Sequence, residues 1–88
     1  MKLVVIYRPN SEHGRSVEDY LREFRSRYGD IKIEALDADT REGASMASLY
    51  DIMRCPAILA LRDDGSTLNI WIDDSLPLMD ELAGYAYS

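Results

Sequence analysis

Two runs in this chain, Leu3-Val4-Val5-Ile6-Tyr7 and Ala57-Ile58-Leu59-Ala60-Leu61, are continuously apolar and bounded by proline. Each is too short for a buried helix, and the first is rich in β-branched residues, so both read as strands. A strand with no polar face must be covered on both sides. The chain therefore needs a layer above and a layer below its sheet. With 88 residues it must build them within one domain spanning 1–88.

The segments between these strands supply the layers. Val17, Tyr20, Leu21, Phe24 and Tyr28 recur at helical spacing among charged residues, the pattern of an amphipathic helix. Ser11, or Ser16 with Asp19 three residues on, is the candidate N-cap, and Gly29 the candidate terminator. Ile31, Ile33 and Ala35 alternate with Lys32 and Glu34 as in a half-covered strand. Asp39 and Glu42 resemble a capping box for a second helix with Met46, Leu49, Tyr50 and Met53 on one face, although Gly43 weakens its first turn. Asp63-Asp64-Gly65-Ser66 is a turn, and Leu68, Ile70 and Ile72 alternate with Asn69 and Trp71 in the returning strand of a hairpin. Trp71 is expected beneath the last helix rather than in an interface. That helix is capped by Asp74 or Ser75, has Pro77 in its first turn, and turns Leu78, Leu82 and Tyr85 or Ala86 inward. The order β-α-β-α-β-β-α defines an α/β fold. Its first two strands are joined in parallel by a crossover, its last two form an antiparallel pair, and helices cover both faces of a four-stranded mixed sheet.

Charge and cysteine usage remove several functions. Ten Lys and Arg against sixteen Asp and Glu leave a net charge of −6, with the single histidine, His13, neutral. Such a balance opposes binding to a phosphate backbone, so no nucleic-acid partner is expected. One cysteine forms no internal disulfide and no paired-cysteine zinc site. The aspartate pairs at 37/39, 63/64 and 73/74 fall at strand ends, turns or caps, where aspartate serves the local backbone, and none has the spacing of a calcium loop. No metal and no cofactor are expected. The sequence contains neither a signal-peptide pattern nor a run of about twenty apolar residues, so a cytoplasmic domain without a membrane partner is the expectation.

The segment Tyr50-Asp51-Ile52-Met53-Arg54-Cys55-Pro56-Ala57-Ile58-Leu59-Ala60-Leu61-Arg62-Asp63-Asp64-Gly65 resembles the thioredoxin-like superfamily. There a helix ends, a loop reaches a cis-proline, and an apolar strand runs to a charged turn with glycine. The resemblance extends over essentially the whole chain. It implies that Pro56 is that cis-proline, beside which an extended peptide can pair by backbone hydrogen bonds. The opening Val5-Ile6-Tyr7-Arg8-Pro9-Asn10-Ser11-Glu12-His13-Gly14-Arg15-Ser16-Val17 is similar to a thioredoxin or glutaredoxin first strand, loop and helix start. Where the family carries Cys-x-x-Cys, this chain reads Ser11-Glu12-His13-Gly14. Dithiol–disulfide exchange is therefore excluded, and the monothiol variant, which keeps the first cysteine, is absent too.

The resemblance places Cys55 beside the Ser11–Gly14 loop. Two readings of that thiol stand open. It is either a nucleophile activated by nearby cations and a helix N-terminus, or a small apolar filler. Arg8, His13, Arg15 and Arg54 either form a basic patch able to hold a carboxylate, a phosphate or a glutathione-like tripeptide, or answer nearby acids such as Glu12, Glu18 and Asp51. A Ser11–His13 nucleophile pair is set aside, because a serine at a helix start is more often a cap. The candidate binding set is thus Arg8, Ser11, His13, Gly14, Arg15, Arg54, Cys55 and Pro56. The leading expectation is a non-catalytic module for a protein or peptide partner. The alternative is a single-cysteine thiol protein, glutathione-linked or redox-sensing. Association through an edge strand or Trp71 is a third reading, and the oligomeric state is open.

Overall fold

The structure, a computed structural model, describes residues 2–72 and 76–87. The elements run β1 (Lys2–Tyr7), α1 (Gly14–Arg27), β2 (Ile33–Asp37), α2 (Arg41–Leu49), β3 (Ala57–Leu61), β4 (Thr67–Ile72) and α3 (Met79–Tyr87). The sheet order is β2-β1-β3-β4. β1 and β2 are parallel, while β3 is antiparallel to both β1 and β4. The two unbroken apolar runs occupy the two central positions, where neither face meets water. Alternate residues feed two cores. Leu3, Val5, Tyr7, Ile58 and Ala60 pack with Val17, Leu21 and Phe24 of α1 and Leu82 and Ala83 of α3. Val4, Ile6, Leu36, Ala57, Leu59 and Leu61 pack on the other face with Ile52 and with Met46 and Ala47 of α2.

Several local expectations are corrected. Neither serine caps α1. His13 occupies the N-cap position without a side-chain cap bond, and Ser11 Oγ instead donates to the Arg8 carbonyl at 2.6 Å. The helix starts where loop packing puts it, since a Cβ on Gly14 would lie 2.2 Å from the Pro9 carbonyl oxygen. At the other end the C-cap is Tyr28, whose N–H donates to the Phe24 carbonyl, and Gly29 has no positive φ. Tyr28 is anchored there by ring contact with Phe24 at 5.2 Å and by its hydroxyl, which donates to Asp80 of α3.

α2 is capped by Thr40, not Asp39: Thr40 Oγ1 accepts from the Gly43 N–H at 3.1 Å. Gly43, a weakness by propensity, is where α2 crosses closest to β2, and a Cβ there would sit 2.0 Å from the Asp37 carbonyl oxygen. The helix stops at Leu49 in a Schellman arrangement. Ile52 N–H donates to the Ala47 carbonyl at 2.8 Å, and Asp51 N–H to the Ser48 carbonyl at 3.3 Å. Asp51 takes the left-handed position that glycine usually fills, with φ 55°. This reversal buries Ile52 and leaves Leu49 and Met53 71% and 88% exposed, so of the expected apolar face Met46 and Tyr50 pack on the core while Leu49 and Met53 do not.

In the hairpin, Gly65 has φ 90° and Asp64 Oδ1 accepts from both the Ser66 N–H and hydroxyl. A register shift between Ala60 and Leu61 makes Leu68 the extra residue. It therefore joins the core under α1 and α3, while Ile70 joins the opposite one. Trp71 packs edge-on against Tyr85 of α3 at 5.4 Å. The expected caps Asp74 and Ser75, and the pair Asp73-Asp74, lie outside the described residues. Leu78, expected inward, is 77% exposed just before α3 begins.

Candidate functional site

The parallel strands β1 and β2 end side by side, and the Ala38 N–H donating to the Tyr7 carbonyl at 2.9 Å extends their pairing by one step. β3 starts at the same end of the sheet, because Ile6 is paired with Ala57. Three loops therefore converge: β1–α1, β2–α2, and the segment entering β3. The Cys55–Pro56 peptide bond is cis, as the resemblance implies.

The β1–α1 loop is closed by its own polar groups. His13 Nε2 accepts from the Arg8 N–H at 3.2 Å. The Ser11 N–H also donates to the Arg8 carbonyl, and the Gly14 N–H to the Ser11 carbonyl, both at 3.1 Å. Arg8, Ser11, His13 and Gly14 thus form one hydrogen-bonded turn. Ser11 and Gly14, where the resemblance expects a cysteine pair, serve here in loop closure.

Arg8 reaches across to the β2–α2 loop, where its Nε donates to Asp39 Oδ1 at 3.1 Å. Asp39 is itself placed by its N–H, which donates to Asp37 Oδ1 at 2.9 Å. The hydrogen bond it donates to Asp39, and then the nearby Cys55, hold the Arg8 guanidinium still more firmly protonated than usual. Glu18, one of the acids considered for the arginines, instead accepts from the Tyr7 hydroxyl at 3.1 Å.

Cys55 is half-buried and free. Burial pushes its thiol above the ordinary range; Arg8 works against this and Asp39 with it. An arginine does lie close enough to favour the thiolate, but desolvation outweighs it. Pro56 is buried, while Arg15, on the first turn of α1, and Arg54, next to Cys55, are exposed. The fold accordingly groups Arg8, Ser11, His13, Gly14, Cys55 and Pro56 at one end of the sheet.

Two features escaped sequence reasoning. Asp39 has the spacing of a cap, and only the meeting of two loops reveals it as the partner of Arg8. Met53 has the helical spacing of a core residue, and its exposure follows from the reversal at Asp51. Among the described residues no group of His, Cys, Asp and Glu is arranged to hold a metal ion, and no helix is long and apolar enough to cross a membrane.

No family model and no curated protein matches the chain. Solved structures do. Thioredoxin 1 from the thermophilic eubacterium Thermosipho africanus superimposes with a TM-score of 0.70 at 14% identity, covering 99% of this chain and 91% of that one. Mitochondrial thioredoxin 3 from Saccharomyces cerevisiae gives 0.69 at 16% identity, covering 93% and 72%. Thioredoxin O2 from Arabidopsis thaliana gives 0.71 at 10% identity, covering 98% and 71%. The fold is thioredoxin-like. It carries a single cysteine and hence no dithiol pair.

Proposed function

We propose that the chain is a non-redox binding module that receives an extended protein or peptide segment at the three-loop end of its sheet. The observation that carries this reading is Met53, 88% exposed in the loop that leads into Cys55. Leu49, at the end of α2, adds a second apolar side chain held in water. Covering such surface is favourable by about 25 cal/mol per Å², and methionine adapts readily to varied partners. The location agrees with the general tendency of α/β sheets to take ligands outside the carboxyl ends of their parallel strands. Arg15, exposed on the first turn of α1 beside the β1–α1 loop, favours a segment with an acidic residue beside its apolar anchor. Backbone pairing at the loop edge would supply the remaining hydrogen bonds.

The alternative is a single-cysteine thiol protein acting through Cys55 with glutathione or another thiol. Its support is the charge of Arg8 beside a half-exposed sulfur. The upward displacement of that thiol by burial weighs against it.

Panning a displayed random-peptide library against the folded chain tests the proposal. The expected result is a recurring extended motif whose binding survives Cys55→Ala and weakens about tenfold or more with Met53→Asp. Failure to enrich any motif refutes it. Loss with Cys55→Ala but not with Met53→Asp transfers the function to the thiol.

A further inference from the structure

At the opposite end of β1 and β2 lies a groove of about 790 Å³, within the range of about 300–1,000 Å³ usual for small-molecule sites. Its floor is apolar: Ile31 is half-exposed, beside the edges of Leu3 and Ile33, which are paired across the two strands and otherwise buried in the core. Its rim is basic. Lys2, Arg25 and Lys32 line it with one carboxylate, Glu34, giving a local excess of positive charge on a chain whose net charge is −6. Glu34 is paired with Lys2 at 3.1 Å.

Arg25 is held in place, since its Nη2 donates to the Ile33 carbonyl at 3.0 Å. A guanidinium fixed by one N–H presents its remaining donors in a set plane, which suits a carboxylate. The same bond occupies a carbonyl of the edge strand β2. The volume of the groove, within the small-molecule range, favours a small molecule over an added strand. We infer that this groove binds an amphipathic carboxylate: an acyl or aryl body lies over Leu3, Ile31 and Ile33, and its carboxylate is held by Arg25 and Lys32. Charge complementarity and an apolar floor select this class over cations and over small hydrophilic anions.

The test is an amide-resolved NMR titration of the full chain with octanoate, alongside acetate (charge without tail) and octylammonium (tail with the opposite charge). Octanoate should shift the amides of Lys2, Leu3, Arg25 and residues 31–34 saturably, and neither control should do so at equal concentration. Arg25→Gln combined with Lys32→Gln should weaken octanoate about tenfold. Equal binding of octylammonium, shifts scattered over the surface, or unchanged affinity in the double variant would each overturn the assignment. Movement of the same amides with protein concentration alone would overturn it too, by giving the groove to a second copy of the chain. The comparison of the three probes uses the native protein and does not depend on the variant folding.

Discussion

Gly43→Ala should destabilise the protein, although alanine is the better helix former. By propensity alone the substitution would gain about 1 kcal/mol. The structure reverses the sign, because the new Cβ would lie 2.0 Å from the Asp37 oxygen, 2.7 Å from its carbonyl carbon and 3.1 Å from the Ala38 Cα. All three are backbone atoms, so no side chain can swing away. Restoring ordinary contact requires α2 to withdraw from β2 by about 1.4 Å. That movement also pulls the Gly43 N–H off Thr40 Oγ1. Overpacking of this kind costs about 1–3 kcal/mol and a lost cap about 1 kcal/mol, so the net loss is about 2 kcal/mol. For a domain of this size that corresponds to a fall in Tm on the order of 10 °C. Thermal and urea unfolding followed by circular dichroism measure it. Gly84→Ala is the internal control. A Cβ at Gly84 meets nothing within 4 Å, so there the propensity gain should appear as increased stability. A Gly43→Ala protein as stable as the native chain would refute the close crossing of α2 and β2.

Asp51→Gly should stabilise the chain by about 0.5–1 kcal/mol in urea unfolding, because glycine meets the left-handed φ of 55° without its cost. Alkylation of Cys55 should inflect above the ordinary thiol value of about 8.5, since burial raises it; Arg8→Gln should move the inflection higher still. An inflection below that value would restore the activated-thiol reading. Tyr20 should ionise late in an ultraviolet titration, near its raised value of about 12, and Tyr20→Phe should remove that late step. Its folded value lies above its unfolded one, so its contribution to stability is present below pH about 10 and is lost as the pH rises towards 12.

The architecture was legible because it rests on periodicity over whole segments. Two strands without a polar face demand cover on both sides, and α1 announces its buried stripe through Val17, Leu21 and Phe24. What could not be read were features set by a single approach of two segments. Gly43 looks like a flaw until α2 is seen against Asp37. Asp39 looks like a cap until Arg8 is brought to it from thirty-one residues away. Leu68 changes face because one extra residue enters β4, which an alternating pattern cannot signal. At the candidate site, the proline marked the cis turn into β3. The acidity of Cys55 depends on burial against one arginine and one aspartate, and no spacing in the sequence encodes that balance.

The loop cluster and the basic groove lie at opposite ends of β1, which spans Lys2–Tyr7, a separation of about 17 Å at strand geometry. That exceeds the screening length of about 8 Å at physiological ionic strength, so direct electrostatic coupling between Arg8 at one end of the strand and Lys2 at the other is weak. Mechanical coupling would need an element with two arrangements between the ends. Val4, Val5 and Ile6 are fully buried between the two cores, and β1 is paired on both edges, so it has no second arrangement available to it. Met53→Asp should therefore leave the octanoate titration unchanged, and Arg25→Gln should leave peptide binding unchanged. Affinity losses in the combined variant should add within about 0.5 kcal/mol. A larger departure would mean that β1 is not the rigid divider its packing describes, and that occupancy at one end of the sheet is read at the other.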